Sequence, residues 1–169
     1  QVPPPPDGRI EPLAQVAVEW AELAERRMAA RRPGYDPGLV AEGVRLLRVL
    51  PASAERTVVL HGDFNPTNVL SASRTGWLAI DPKPMVGDPA YDPWPLLEQV
   101  DHPLAYPDPV PVLRQRLALL GDELALPAER LAAWAVARLV EEALWRADCG
   151  DISGGASLMA KACVLAGLC

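Results

Sequence analysis

Lysine is nearly absent from this chain of 169 residues: only Lys83 and Lys161 occur, and none precedes residue 83. The formal net charge is −6 and the isoelectric point is near 4.9. The basic footprint on which nucleic-acid binding depends is therefore missing, and a nucleic-acid partner is excluded as an expectation. Cysteine is also scarce. Cys149, Cys163 and Cys169 are too few and too irregularly spaced for a disulfide framework or a zinc site, so they read as free thiols in a reducing compartment. No apolar run reaches the ~18 residues of a membrane span; the longest, near Leu131 to Val140, is interrupted by Arg138. No secretory signal pattern appears. A cytoplasmic protein without a membrane partner is expected.

Proline is abundant. There are 19 prolines in 169 residues, about twice the usual ~5%. The chain is also 50% hydrophobic, enough for a folded core, so the prolines punctuate structure and do not signal disorder. Residues 1–12, with four consecutive prolines at Pro3 to Pro6, read as an extended linker cut from a longer protein. Residues 13–169 read as one globular domain.

Helical periodicity begins at Leu13 and continues through Val16, Ala17, Trp20, Leu23, Ala24 and Met28 until Arg32. A second helix is predicted from an Asp36 N-cap, with Pro37 in its first turn, to Leu50. The pattern then changes. Thr57 to Leu60 is a short β-branched run, and Asn68 to Ala72 and Trp77 to Asp81 flank the turn Ser73 to Gly76 as a predicted hairpin. Residues 82–109 hold eight prolines and read as loop with one short helix near Trp94 to Gln99. Helices are predicted again over Val110 to Leu120, Pro127 to Arg146 and Ser157 to Leu168. Trp20, Trp134 and Trp145 are read as core. The expected fold is mostly α, with a small β-hairpin insertion at residues 57–81.

The informative segment lies between the first strand and the hairpin: His61-Gly62-Asp63-Phe64-Asn65-Pro66-Thr67-Asn68. Asn68 follows Asp63 by five residues, and Asp81 follows Asn68 by thirteen. Carboxamide and carboxylate oxygens at Asn68 and Asp81 suit Mg²⁺, which takes one or two protein ligands and completes its shell with phosphates and water. Asp63 is then free to orient a hydroxyl and accept its proton. That is the division of labour in kinase-type phosphoryl transfer from ATP. Lys83, two residues beyond Asp81, reads either as a phosphate contact or as an exposed loop lysine. Glu141, Glu142, Asp148 and Asp151 form an acidic cluster whose default is a solvated face.

Leu60 to Leu70 resembles the catalytic loop of the aminoglycoside phosphotransferases and related small-molecule kinases. Trp77 to Pro84 with Val86 to Asp92 resembles, more narrowly, the streptomycin 6-kinase and hydroxyurea phosphotransferase branch, whose activity is antibiotic resistance. The resemblance implies the C-terminal lobe of a protein-kinase-like fold over the whole chain. It implies Asp63 as the catalytic aspartate, Asn68 and Asp81 as metal ligands, His61 as a brace for the loop, and Asp92 as an acid that bonds the loop backbone. It also places substrate binding on the C-terminal helices, where the acidic cluster would attract a cationic aminoglycoside.

The family's other half is not legible here. A lobe that supplies a phosphate-covering loop and a strand lysine belongs upstream of the catalytic loop, yet residues 1–56 hold neither a lysine nor a glycine-rich loop. The N-terminal lobe is therefore expected to be absent from this chain and to be its missing partner. The leading expectation is an ATP- and Mg²⁺-dependent phosphotransferase lobe, inactive by itself. The alternatives are a catalytically idle domain that binds substrate or a partner, and a kinase for another small metabolite.

Overall fold

The computed structural model describes residues 2–5 and 9–169. Residues 1 and 6–8 of the proline-rich lead-in lie outside the described residues. The chain divides into two compact units, one of residues 1–12 and 55–131, the other of residues 13–54 and 132–169.

The second unit is helical. It contains α1 (Leu13–Arg31), α2 (Pro37–Val49), most of α5 (Ala128–Asp148) and α6 (Ile152–Ala166). On α1 the buried positions are Leu13, Ala17, Ala21 and Ala24, one face of a 3.6-residue period carrying small side chains. Asp36 starts α2: its side chain accepts from Leu39 N, and Pro37 occupies the first turn, where its missing N–H costs nothing. In α5 the run Ala132 to Ala137 is buried without interruption, with Trp134 fully enclosed. A helix apolar on all sides is a core helix. Trp145 departs from the expectation of a core residue; it is half exposed.

α6 begins five residues earlier than its periodicity predicts. The Asp151 carboxylate accepts from Gly154 N at 2.8 Å and caps the helix, which draws Gly154 and Gly155 into the first turns. Gly155 is required by packing: a β-carbon there would stand 2.0 Å from the Tyr35 hydroxyl oxygen.

The first unit carries the β structure. Its strands are β1 (Val58–Leu60), β2 (Val69–Ala72), β3 (Gly76–Ala79) and β4 (Met85–Gly87). β2 and β3 form the antiparallel hairpin, with Leu70 opposite Leu78 and Ser71 opposite Trp77. β1 pairs antiparallel with β4, Leu60 opposite Met85. The β4 strand corrects the expectation that the β insertion ends at residue 81. The lead-in joins the same sheet: Val2 bridges Val59, and Glu11 O accepts from Val86 N at 2.9 Å. Helices α3 (Trp94–Gln99) and α4 (Pro109–Leu124) complete the unit. Its core holds Leu60, Met85, Tyr91, Trp94, Leu97, Leu113 and Leu117.

Candidate active site

The candidate site lies wholly in the first unit, on the loop between β1 and β2 and the turn after β3. Asp92 organises the loop. Its carboxylate accepts from His61 N at 2.6 Å and from Gly62 N at 2.9 Å, so two consecutive backbone donors at the strand end are satisfied by one anion. His61 braces the opposite side. Its Nε2 donates to Ile80 O at 2.9 Å while Nδ1 accepts from Asp63 N at 3.3 Å. A carbonyl oxygen facing Nε2 and an N–H facing Nδ1 form the hydrogen-bonding pattern that suits the tautomer protonated at Nε2. The ring also meets Phe64, the chain's one phenylalanine, edge-on at 5.6 Å between centroids.

Gly62 stands where a side chain has no room. Its φ is +78°, and a β-carbon would fall 1.9 Å from Lys83 O. Backbone from the post-hairpin turn fills the space, and Lys83 N donates to His61 O at 2.8 Å. The turn and the loop are thus joined on both sides of Asp81, because Ile80 N donates to Asn68 O at 2.9 Å. Asp81 itself has φ +54°, the left-handed region, which aspartate tolerates better than most side chains. The following Pro82 disfavours helical backbone there as well. A residue held in such a conformation by bonds on either side is the kind found at functional sites.

The carboxylate of Asp63 is doubly held. Asn65 Nδ2 donates to Oδ1 at 3.0 Å, and the Lys83 ammonium donates to Oδ2 at 2.8 Å. Asn65 is itself fixed, since its Oδ1 accepts from Thr67 N at 3.0 Å and from Thr67 Oγ1 at 2.6 Å. The hydrogen bond that Lys83 donates to Asp63, reinforced by the charges of Asp63 and Asp81, raises the Lys83 pKa above its ordinary 10.5. Asn68 is buried, and its Nδ2 donates to Asp63 O at 2.9 Å. That leaves Oδ1 as the acceptor end of its amide. Asp81 is exposed, and among the described residues its carboxylate accepts no hydrogen bond. One amide oxygen and one carboxylate match what Mg²⁺ takes from a protein when phosphates supply further ligands.

Sequence reasoning did not assign two residues of this region. Asp88, 2% exposed, accepts from Arg130 Nε at 2.7 Å and Nη2 at 2.6 Å, and its Oδ1 takes Ala90 N at 3.0 Å. This pair ties the turn after β4 to the start of α5. Asp88 stands within a recognised motif, but its partner is 42 residues away and leaves no local signal. Asn65, the donor to Asp63 Oδ1, stands in the loop segment singled out from the sequence but received no role there.

The acidic cluster belongs to the other unit, where each carboxylate meets an arginine. Arg27 bonds Glu141 at 2.8 Å and Arg31 bonds Asp148 at 2.7 Å. Arg146 reaches both Glu142 and Asp151 at 3.2 Å. Burial pushes the Glu141 carboxyl above the ordinary 4.5, against the opposing pull of Arg27.

A strand, a braced loop presenting Asp63 and Asn68, and a hairpin returning Asp81 to that loop make up the candidate site. The chain belongs to the aminoglycoside/hydroxyurea antibiotic resistance kinase family, whose pattern matches residues 2–150. It is 36% identical over 162 residues to a streptomycin 6-kinase of Streptomyces glaucescens, covering 95% of this chain and 50% of that protein. A streptomycin 6-kinase of Streptomyces griseus is 43% identical over 106 residues, 60% of this chain and 32% of its own length. A hydroxyurea phosphotransferase of Kitasatospora aureofaciens is 35% identical over 95 residues, 56% of this chain and 26% of its own. The chain thus spans half or less of the length of these relatives. No solved structure matches it. Among the described residues, no helix is long and apolar enough to cross a membrane.

Proposed function

We propose that this chain is the catalytic and substrate lobe of an ATP-dependent phosphotransferase that acts on a hydroxyl of a small molecule. A streptomycin-type aminoglycoside or hydroxyurea is the substrate class that the relatives' names support. The observation that carries the reading is the Asp63 carboxylate, held by a fixed amide on a loop whose other end bears Asn68 and whose partner turn bears Asp81. Asp63 orients the substrate hydroxyl and accepts its proton. Asn68 Oδ1 and the Asp81 carboxylate would hold Mg²⁺, which when bound neutralises charge on the ATP phosphates. The new bond joins the substrate oxygen to the γ-phosphorus, the bond to the β,γ-bridging oxygen breaks, and ADP leaves with that electron pair. His61 and Asp92 keep the loop in place and take no proton.

Residues 13–169 are read as this lobe and residues 1–12 as the segment leading into it from a nucleotide-covering N-terminal lobe. The relatives' unmatched length supports that division. In this reading the chain by itself binds nucleotide only in the millimolar range, through Mg²⁺ and one wall of the site, and turns over little. For a polycationic substrate, Glu141, Glu142, Asp148 and Asp151 are the proposed attracting carboxylates, in competition with the arginines that each of them already meets. The test is a phosphorylation assay of the chain joined to such an N-terminal lobe, with streptomycin, hydroxyurea and neutral sugars as acceptors. Asp63→Asn is expected to lower kcat by at least ~10²-fold with the fold unchanged by circular dichroism. Unchanged turnover in that variant overturns the assignment.

A further inference from the structure

Asn65 and Lys83 hold the Asp63 carboxylate in different ways. The Asn65 amide that holds Oδ1 is locked by Thr67 on its other end. The Lys83 ammonium that holds Oδ2 sits at the tip of a side chain 71% exposed, while its backbone is pinned through its N–H to His61 O and through its carbonyl against Gly62. A fixed base with a flexible four-carbon stem gives a cation that changes partner without moving the chain. Three arginines of this unit are engaged elsewhere, while Arg74 lies at the tip of the β2–β3 hairpin and Arg114 on α4. Arg56 bonds Leu124 O, Arg116 bonds Val100 O and Asp101, and Arg130 bonds Asp88. Lys161 is on α6, in the other unit.

We propose that Lys83 is the cation for the transferred phosphoryl group: it rests on Asp63 Oδ2 in the nucleotide-free chain and moves to a γ-phosphate oxygen when ATP is present, leaving Oδ2 to the substrate hydroxyl. This rests on the phosphotransferase reading and deepens it. The hydroxyl proton goes to Asp63, the phosphoryl group passes from ADP's β-oxygen to the substrate oxygen, and Lys83 stays protonated throughout. Its charge stabilises the equatorial oxygens, where negative charge is spread in the transition state.

The scarcity of lysine makes a direct test simple. A chain labelled with ¹³C-lysine gives two Cε resonances, assigned with Lys161→Arg. Asp63→Asn is expected to shift the Lys83 resonance without nucleotide. Millimolar MgATP is expected to shift it saturably, and MgADP, which lacks the γ-phosphate, to leave it in place. Lys83→Met is expected to weaken MgATP binding by about tenfold, the loss of one charge-assisted hydrogen bond, with MgADP binding unchanged; Lys83→Arg retains most of the affinity. If MgATP moves the amides of Asn68 and Asp81 but not the Lys83 resonance, the inference fails and the phosphotransferase reading stands. Equal shifts with MgATP and MgADP also overturn it, because the contact is then not with the γ-phosphoryl. If no resonance in the chain responds to millimolar MgATP, both fail.

Discussion

Substituting Gly62 by alanine measures how tightly the turn after the hairpin is pressed into the loop. Two costs arise. The first is conformational: φ is +78°, and an L-residue in the left-handed region costs roughly 1–2 kcal/mol. The second is steric. The new β-carbon would lie 1.9 Å from Lys83 O, which must retreat by about 1.5 Å to reach an ordinary contact of about 3.4 Å. That retreat strains or breaks the Lys83 N–H bond to His61 O, worth about 1 kcal/mol net, and adds overpacking of about 1–3 kcal/mol. Destabilisation of about 3–6 kcal/mol is expected in urea denaturation followed by circular dichroism. The control is Gly76→Ala in the same unit, where φ is +77° and nothing lies within 4 Å of a β-carbon. It bears the conformational cost alone, about 1–2 kcal/mol, and the difference between the two variants is the steric part. Equal losses from the two variants, with the Lys83 resonance unmoved in Gly62→Ala, would refute the packing argument.

Asp88→Asn removes the charge that Arg130 faces at a position 2% exposed and breaks a buried ion pair, at a cost of about 3–5 kcal/mol; a urea midpoint within error of the parent would show that the pair holds nothing together. Asp151 gives a dependence on pH. The Gly154 N–H, then Arg146, hold its carboxyl below the ordinary 3.8, so the ionised form stabilises the fold fully above that value and the contribution is lost as pH falls through the lowered one. The stability gap between the parent and Asp151→Asn is therefore expected to be open at about pH 7 and to close at about pH 2; a gap of equal size at both would assign the effect to something other than the charge.

Much of the fold is written locally. The 3.6-residue spacing of apolar side chains placed α1, α2, α4 and α5 within a few residues, because amphipathic periodicity is a property of consecutive residues. The same holds for Asp36 with Pro37, whose capping geometry needs only its own neighbours. The order of Asp63, Asn68 and Asp81 was legible because loop and hairpin are contiguous and each residue type carries its chemistry with it. What the chain does over distance was not legible. β4 is three residues long and has no alternation of its own; it is a strand because β1 and Glu11 supply hydrogen-bond partners. Gly154 and Gly155 lower helix propensity, and only the Asp151 cap and the Tyr35 hydroxyl over Gly155 make that segment the start of α6. The ion pairs Asp63–Lys83 and Asp88–Arg130 bridge 20 and 42 residues, separations at which sequence holds no record of direction. Side-chain identity is local information, whereas which charge faces which is set by the packing of distant backbone, and that packing decided that Lys83 meets the carboxylate of Asp63.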